Sequence, residues 1–396
     1  MGGPVSTSTG AGMPAAWGGV FALSLGAFAL VASEFMPVSL LTSIAADLRV
    51  TEGQAGQSIA VSGAFALATS LSISSLAGKL DRKVLLLALT LLMIVSGSIA
   101  AFAPNYWSFM AGRAFIGVAI GGFWSLSAAT AMRLVPSTQV PKALAILNGG
   151  SALATVAAAP LGSFLGAIVG WRAAFFALIP VAAIALAWKW ASLPPMPAER
   201  SQGGANLFTL LRRPAVALGM VAVSLFFMGQ FALFTYLRPF LETATHAGAT
   251  LTSLMLLVIG VAGFIGTTLI GALLKDGMYR TLVAIPLVMA VIALALPVFG
   301  ASPFATGLLL ALWGLVGTAA PVGWWTWLAR TLPHDAEAGG GLMVAVVQLA
   351  IALGATVGGL LFDGFGYRAT FGASALVLVV AAGMALLAGR AARPAR

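Results

Sequence analysis

The 396-residue sequence has no cysteine and only two histidines, His246 and His334. The absence of cysteine excludes a disulfide framework, a thiol nucleophile and a thiolate metal site. Both histidines fall near predicted loops, so we expect no buried histidine cluster, no metal site and no cofactor. Charged residues are also scarce, at 8% of the chain compared with about 25% in soluble domains.

Hydrophobic residues make up 60% of the chain, which is more apolar surface than a water-soluble core can bury. Twelve apolar stretches are each long enough to cross a bilayer, which takes about 20 residues per helix. None alternates apolar and polar residues with period two, and helices satisfy their own backbone hydrogen bonds in lipid. The sequence therefore predicts an all-α membrane protein with twelve transmembrane helices, near residues 17–42, 56–78, 84–103, 106–131, 140–168, 172–192, 214–241, 249–274, 281–300, 303–329, 338–362 and 369–389.

The basic residues predict the orientation of these spans. An even number of spans places both termini on one side, and most lysines and arginines, including Lys189, then fall on that side. The other side carries only Arg49, Arg172, Arg238 and Arg368, so the positive-inside rule places both termini in the cytoplasm. The excess of basic residues, with a net charge of +10, therefore determines the orientation of the spans in the membrane. We expect the lipid bilayer rather than nucleic acid as a partner.

Two motif pairs indicate an internal duplication. The motif at Arg133 recurs at Arg330, 197 residues later (330 − 133), and the motif at Gly170 recurs at Gly366, 196 residues later (366 − 170). A duplicated six-helix unit is typical of rocker-type secondary transporters. We therefore predict two pseudo-symmetric six-helix bundles at 17–192 and 214–390, joined by a cytoplasmic linker at 193–213 and flanked by cytoplasmic tails at 1–16 and 391–396.

One acidic residue, Glu34, lies well inside a predicted span. A charge at that depth costs about 2.5–3.5 kcal/mol, so Glu34 must face an interior cavity, be paired or be protonated. Arg113 is the only base expected inside the membrane, at a matching depth in the fourth span. We predict that the two residues couple transport to protons, with Arg113 stabilising deprotonated Glu34. The alternative is a static ion pair that locks the first and fourth spans together.

Amide and aromatic side chains inside the spans indicate a substrate cavity. Amides hydrogen-bond the polar edge of a flat heterocycle while aromatic rings stack on its face. The alternatives are interhelical hydrogen bonds for the amides and packing or interfacial anchoring for the aromatic residues. The predicted substrate-binding residues are Phe123, Trp124, Asn148, Gln230, Tyr236, Trp324 and Gln348.

A third group of residues suggests gating. The basic loop between the second and third spans could latch the inner gate or serve topology alone. Proline kinks helices, and small residues let helices approach closely. Near the outer end of the seventh span, Arg238 and Glu242 form either a gate or a surface pair. The predicted gating residues are Lys79, Asp81, Arg82, Pro160, Gly162 and Arg238.

With these residues the chain resembles the major facilitator superfamily, in its twelve-helix proton-antiporter branch. The segment 112–117, which contains Arg113, resembles the basic motif of the fourth span in that branch. The segment 150–162 is similar to the antiporter motif of the fifth span, with Ala159 in place of the usual glycine before Pro160. The loop 78–83 resembles the superfamily's motif between the second and third spans in a shortened form.

Further segments are similar to purine-ribonucleoside efflux proteins of the same branch. This resemblance implies a bacterial inner-membrane exporter that moves inosine- or guanosine-like nucleosides against protons, without a catalytic residue, and we expect a monomer. The alternatives are a proton-coupled exporter of sugars or drugs and, from another class, a membrane-embedded prenyl or acyl transferase, which needs clustered acids, histidines or metal ligands. The matching segments are 34–42, 121–124, 132–136, 140–144, 159–166, 234–239 and 321–324.

Overall fold

The computed structural model of the chain describes residues 15–76, 80–197, 210–333 and 336–392. In these ranges all regular secondary structure is helical, which confirms the all-α prediction. A short 3-10 helix, Ser137–Gln139, precedes the fifth helix. The helices are α1 (Trp17–Leu48), α2 (Glu52–Leu76), α3 (Arg82–Ala101), α4 (Tyr106–Arg133), α5 (Val140–Val169), α6 (Trp171–Ser192), α7 (Pro214–Phe234), α8 (Leu237–Thr243), α9 (Ala249–Phe299), α10 (Pro303–Gly317), α11 (Ala320–Thr331) and α12 (Ala336–Ala391).

Within the described residues, 11 helical segments are long and apolar enough to cross a membrane, compared with the twelve predicted. The difference lies at the end of the chain, where Gly339–Ala391 forms one segment of 53 residues. That length corresponds to about 80 Å of helix, more than twice the hydrocarbon thickness of a bilayer. Gly366 interrupts it with a φ of 75°, a left-handed conformation that glycine adopts easily because it has no Cβ.

Other interruptions fall at glycine and proline. Gly277, with non-helical angles, divides α9 into the segments Ala249–Lys275 and Gly277–Phe299. Pro321 lies at the start of α11. The N–H groups of the first helical turn have no partner within the helix, so the missing N–H of proline costs no hydrogen bond there. Each break therefore falls at a residue where a change of backbone direction costs few helical hydrogen bonds and little strain.

Two large apolar clusters form the interior. One is built mainly from α7 to α12, and the other from α1 to α6. The two groups of helices touch where α2 packs against α12 and where α5 packs against α9. Many large apolar side chains, such as Trp107 and Phe304, are instead exposed on the outside of the bundle, as expected for surfaces that face acyl chains.

Candidate functional site

A proline in α1 organises the site. Pro37 has no N–H, so the carbonyl of Ser33, four residues earlier, lacks its helical donor. The Arg113 guanidinium of α4 supplies one, with Nη1 donating to Ser33 O at 2.8 Å. Nη2 donates to the carbonyl of Glu34 at 2.9 Å. Arg113 is 1% exposed and thus completes the backbone of the proline-containing helix from within the bundle.

The same guanidinium also reaches α2. Its Nε donates to the carbonyl of Ser58 at 3.2 Å, and Nη2 donates to Ser62 Oγ at 3.3 Å. Arg113 therefore ties α1, α2 and α4 together. It meets Glu34 at the backbone and not at the carboxylate, and no ion pair joins the two side chains in the described part of the chain. The static ion pair considered from the sequence is thus absent in this state.

The carboxylate of Glu34 points toward the second group of helices. Glu34 is 5% exposed, and its Oε1 accepts a hydrogen bond from Nε2 of Gln348 in α12, at 3.4 Å. The neighbouring Phe35 stacks on Phe231 of α7, with ring centroids 5.5 Å apart. The structure thus joins two residues that the sequence suggested separately, and adds an aromatic pair that the sequence did not indicate.

Two glutamines on the second group of helices have unused hydrogen-bonding capacity. The Oε1 atoms of Gln230 and Gln348 are both buried, and neither has a hydrogen-bond partner among the described residues. Gln230 lies on α7 and faces Gly317 of α10. A buried amide oxygen without a donor costs about 1–3 kcal/mol, so these two atoms are suited to bind a ligand that brings donors.

The structure separates the other predicted substrate-binding residues. Trp124 is half-buried, and Asn148 is exposed and donates to the carbonyl of Leu144 in its own helix. Phe123 and Trp324 are 1% and 2% exposed and pack inside the two apolar clusters, so neither is available to a ligand in this state.

Tyr236 acts as a packing residue between the two groups of helices. It is fully buried, donates to the carbonyl of Ala355 in α12 at 2.7 Å and stacks on Phe362. Its hydroxyl lies so close to Gly56 of α2 that a Cβ at Gly56 would collide with it. Tyr236 therefore holds α2 and α12 together in this state, instead of facing an open cavity.

Arg238 lies at a second contact between the groups. Its Nε donates to Glu242 Oε1 at 2.7 Å, and its Nη1 donates to the carbonyl of Ser39 in α1. Thr42 of α1 donates to the same Glu242 oxygen at 3.1 Å. Arg238 is only 6% exposed and bridges α8 to α1, so it is not a surface residue in this state.

Asp363 of α12 makes a further contact at the same end of the bundle as Arg238. Its carboxylate accepts from Thr51 Oγ1 at 2.5 Å and from the backbone N–H of Gly53 at 2.9 Å. It therefore caps the N-terminus of α2, where the helix dipole favours a negative charge. Gly53 lies so close to this carboxylate that a Cβ there would clash.

Replacing Asp363 by asparagine is expected to weaken this contact by about 1 kcal/mol, because the bonds are partly exposed. The populations of the conformational states should then shift toward the state in which this end of the bundle is open. The chain has no cysteine, so spin labels at Pro104→Cys and Ala301→Cys, both exposed in turns at this end, would report the separation. An unchanged distance distribution would show that Asp363 does not hold this end closed.

The remaining predicted gating residues have more local roles. Asp81 caps α3 by accepting from the Lys83 N–H, and its other oxygen accepts from the N–H of Met196. The Arg82 N–H donates to the carbonyl of Met196, so this loop holds the segment that follows α6. Lys79 lies outside the described residues.

Both gating candidates of α5 are buried. Pro160 leaves the carbonyl of Val156 without a helical donor, and Gly260 of α9 lies against the Val156 backbone. Gly162 faces Ser39 of α1 closely enough that a Cβ would lie 2.6 Å from the Ser39 hydroxyl. Both positions therefore allow α5 to approach its neighbours closely.

The expectation that Arg113 is the only buried base is wrong. Lys189, which the sequence places among the cytoplasmic residues, is 0% exposed, and Arg238 is also buried. The Lys189 ammonium donates to Thr90 Oγ1 at 2.8 Å and lies over the Phe123 ring, 4.9 Å from its centroid. A lysine three residues from a helix end normally extends toward water, so the sequence carries no signal for this burial.

Comparison with known proteins shows which chains share this sequence and fold. The family model of the Major Facilitator Superfamily matches residues 23–343. The chain is 64% identical over 383 residues to a Pseudomonas aeruginosa protein named transcription regulatory protein OpdE, covering 96% of this chain and 95% of the relative. It is 40% identical over 366 residues to the purine ribonucleoside efflux pump NepI of Salmonella enteritidis, covering 92% of each.

Among solved structures, a bacterial homolog of the human lysosomal transporter Spinster, in an inward-facing and unoccupied conformation, superposes with a TM-score of 0.81. The match covers 96% of this chain and 99% of that one at 14% sequence identity, which shows a common fold.

Proposed function

This chain belongs to the major facilitator superfamily, and we propose that it is a proton-coupled exporter of purine ribonucleosides such as inosine or guanosine. It is a transporter of that superfamily and not an enzyme, so the transferase alternative falls away. The observation that carries the proposal is the buried Glu34 carboxyl, which lies between the two groups of helices in contact with Gln348. Ionisable groups inside a membrane commonly mark ion and proton pathways.

The proposed architecture has twelve spans in two bundles. The break at Gly366 divides the last helix into two segments that are each long enough to span the membrane. Counted in this way, six spans precede the linker 193–213 and six follow it, although 198–209 of that linker lie outside the described residues. The two main apolar clusters, each built mainly from one half of the chain, support two bundles that move as units.

The proposed orientation places both termini in the cytoplasm of a bacterial cell, with the chain in the inner membrane. In this orientation the contacts of Arg238 and Asp363 close the periplasmic side. The protein is then in an inward-facing state, like the solved structure to which it is similar. Transport requires these contacts to break so that the opposite side can close.

Protonation of Glu34 is the proposed coupling step. A carboxylate is a stronger hydrogen-bond acceptor than a carboxylic acid, so the contact from Gln348 weakens when Glu34 binds a proton. Because this contact joins the two bundles, the proton changes the relative stability of the two states, as any coupled ligand must. A proton entering from the periplasm would favour release of the substrate there, and its delivery to the cytoplasm would complete the cycle.

The substrate class is supported by the free amide oxygens of Gln230 and Gln348. The purine bases of inosine and guanosine present N–H donors at one edge, which amide oxygens can accept. The Salmonella relative named a purine ribonucleoside efflux pump supports the same assignment. Sugar or drug export within the superfamily remains the alternative.

The name of the Pseudomonas relative refers to transcription. A carrier alters transcription indirectly when it changes the cytoplasmic concentration of a small effector. Nucleoside export by the purified protein would therefore agree with both names, whereas a protein that regulates transcription without transport would be inactive in the same assay.

Inverted membrane vesicles with an acidic interior test the proposal. Labelled inosine should accumulate inside them, and a protonophore should abolish the accumulation because the proton gradient drives it. Arabinose and a cationic dye, measured in parallel, should not accumulate. Accumulation of either compound without inosine would favour the alternative substrates, and accumulation of none would contradict the proposed function.

A further inference from the structure

A cavity of about 580 Å³ lies on the outside of the second group of helices. Its lining residues come from the part of α9 that follows Gly277 and from the last turns of α12. Since α12 runs from the break at Gly366, beside Asp363, to its end at Ala391, the cavity lies at the end of the bundle opposite to Asp363. Its volume falls in the range of about 300–1,000 Å³ that is typical of small-molecule sites.

Positive charge is confined to one end of this cavity. Arg280 of α9 and Arg390 of α12 both line it, both are exposed, and no described carboxylate pairs with either. Val283 and Leu287 follow Arg280 on the same face of α9, and Leu287 lies about 10 Å deeper along the helix. Leu386 lies one turn before Arg390 on α12. The cavity is therefore cationic at the helix ends and apolar toward the middle of the membrane.

Tyr279 adds a hydroxyl group to the lining. Its oxygen accepts a hydrogen bond from Nε1 of Trp327 in α11 at 3.2 Å, and its own O–H has no acceptor among the described residues. The ring packs so closely on α12 that a Cβ at Gly389 would lie 2.9 Å from it. Tyrosine is enriched where the apolar core of a membrane meets the headgroups. The Tyr279 O–H is therefore available to donate to an oxygen of a ligand in the cavity.

The sequence around the cavity is strongly basic. The segments 275–280 and 386–396 contain five basic residues and one acidic residue: Lys275, Arg280, Arg390, Arg393 and Arg396, and Asp276. Of these, Arg393, Arg396 and the side chain of Asp276 lie outside the described part of the chain. In the proposed orientation this end faces the cytoplasmic leaflet, whose anionic lipids attract basic residues. Determining topology requires such charges but does not require a cavity with an apolar wall between them.

We propose that this cavity binds one anionic phospholipid of the cytoplasmic leaflet, such as phosphatidylglycerol. Arg280 and Arg390 donate charge-assisted hydrogen bonds to the phosphate oxygens, and Tyr279 donates to an oxygen of the phosphate or of an ester. The acyl chains follow the apolar wall at Val283 and Leu287. A free phosphate would match the arginines but leave this wall uncovered. The inference depends on the proposed orientation and not on the transported substrate.

Native mass spectrometry of the full chain in detergent tests this site. Phosphatidylglycerol should bind more tightly than phosphatidylcholine with the same acyl chains, because the choline group neutralises the charge of its phosphate. The double substitution Arg280→Gln with Arg390→Gln should lower the affinity for phosphatidylglycerol by about 25-fold, or about fivefold for each arginine. Lys142→Gln with Arg212→Gln is the matched control, since it removes two exposed charges of the same predicted side away from the cavity. This control should bind phosphatidylglycerol like the parent.

The variant Ala284→Trp distinguishes a lipid from a free phosphate. Ala284 is exposed and lines the cavity, so a tryptophan there fills the space beside the apolar wall and keeps both arginines. The affinity for phosphatidylglycerol should fall in this variant as well. An unchanged affinity, or displacement of the lipid by excess inorganic phosphate, would overturn the inference, because a phosphate group alone would then be recognised.

Two further outcomes would contradict the lipid site. Equal affinity for phosphatidylglycerol in the parent and in the double arginine variant would show that the arginines determine topology only. A dimer in the mass spectrum that the double arginine variant loses would assign the cavity to a second copy of the chain. Because the assay measures lipid binding and no transport, its result does not depend on whether inosine is exported.

Discussion

Replacing Glu34 by glutamine is expected to abolish proton-driven accumulation while leaving a folded protein. Glutamine has the shape of the glutamate side chain and hydrogen-bonds Gln348, but it does not gain and lose a proton at this position. The backbone carbonyl that binds Arg113 is unaffected by the change. Accumulation of labelled inosine in acidic inverted vesicles should fall to the protonophore level, which makes this the largest effect expected of any single substitution.

Exchange without a proton gradient provides the internal control for Glu34→Gln. A carrier that has lost only its coupling still moves inosine in both directions, and its exchange should not depend on pH. Normal pH-dependent accumulation by Glu34→Gln would refute the proposed role of Glu34.

The second large effect is expected where α2 crosses α12. A Cβ at Gly63 would lie 2.9 Å from the backbone oxygen of Gln348 and 3.1 Å from the Ala352 Cβ. Gly63→Leu must therefore push the helices apart, at a cost of about 1–3 kcal/mol for overpacking. Since this crossing joins the two bundles, that cost should shift the populations of the two states by about 5–150-fold toward the one open to the periplasm. Separation at this point would also carry Gln348 away from Glu34.

The spin-labelled pair at Pro104→Cys and Ala301→Cys measures this shift directly, and accumulation of inosine should be lost in parallel. Gly271→Leu is the matched control, because Gly271 is an exposed helical glycine of α9 with no neighbouring atom within 4 Å. It should leave both measurements unchanged. Equal distance distributions in the parent and in Gly63→Leu would show that the crossing does not control the conformation.

Several features of the fold and site were predictable because their cause is local. The apolar stretches predicted the helices, since each stretch must bury its own backbone hydrogen bonds in lipid. The depth of Glu34 and Arg113 followed from counting residues along a helix, and both side chains are buried as expected. The count of spans matched less well, because a single glycine conformation at Gly366 decides where the last long helix is divided.

The predicted substrate-binding residues show where local reasoning ends. Phe123, Tyr236 and Trp324 satisfied the criterion of an aromatic residue within a span, yet all three pack in the interior. The hydropathy of a span does not show which of its faces meets a neighbouring helix, because most faces of these helices are apolar. The glutamines were a better indicator, since an amide in an apolar environment needs a partner wherever it lies.

The sequence alone therefore determined the helical membrane architecture and the position of a carboxyl and a guanidinium deep within it, because hydropathy and helical rise act residue by residue. The tertiary structure decided which groups meet: Gln348 reaches Glu34 across 314 residues of chain, and Asp363 caps α2 across 310. It also decided that Lys189 points inward. Such contacts depend on how distant helices pack and on the direction of each Cα–Cβ bond within that packing, and neither is encoded in the composition of any single span.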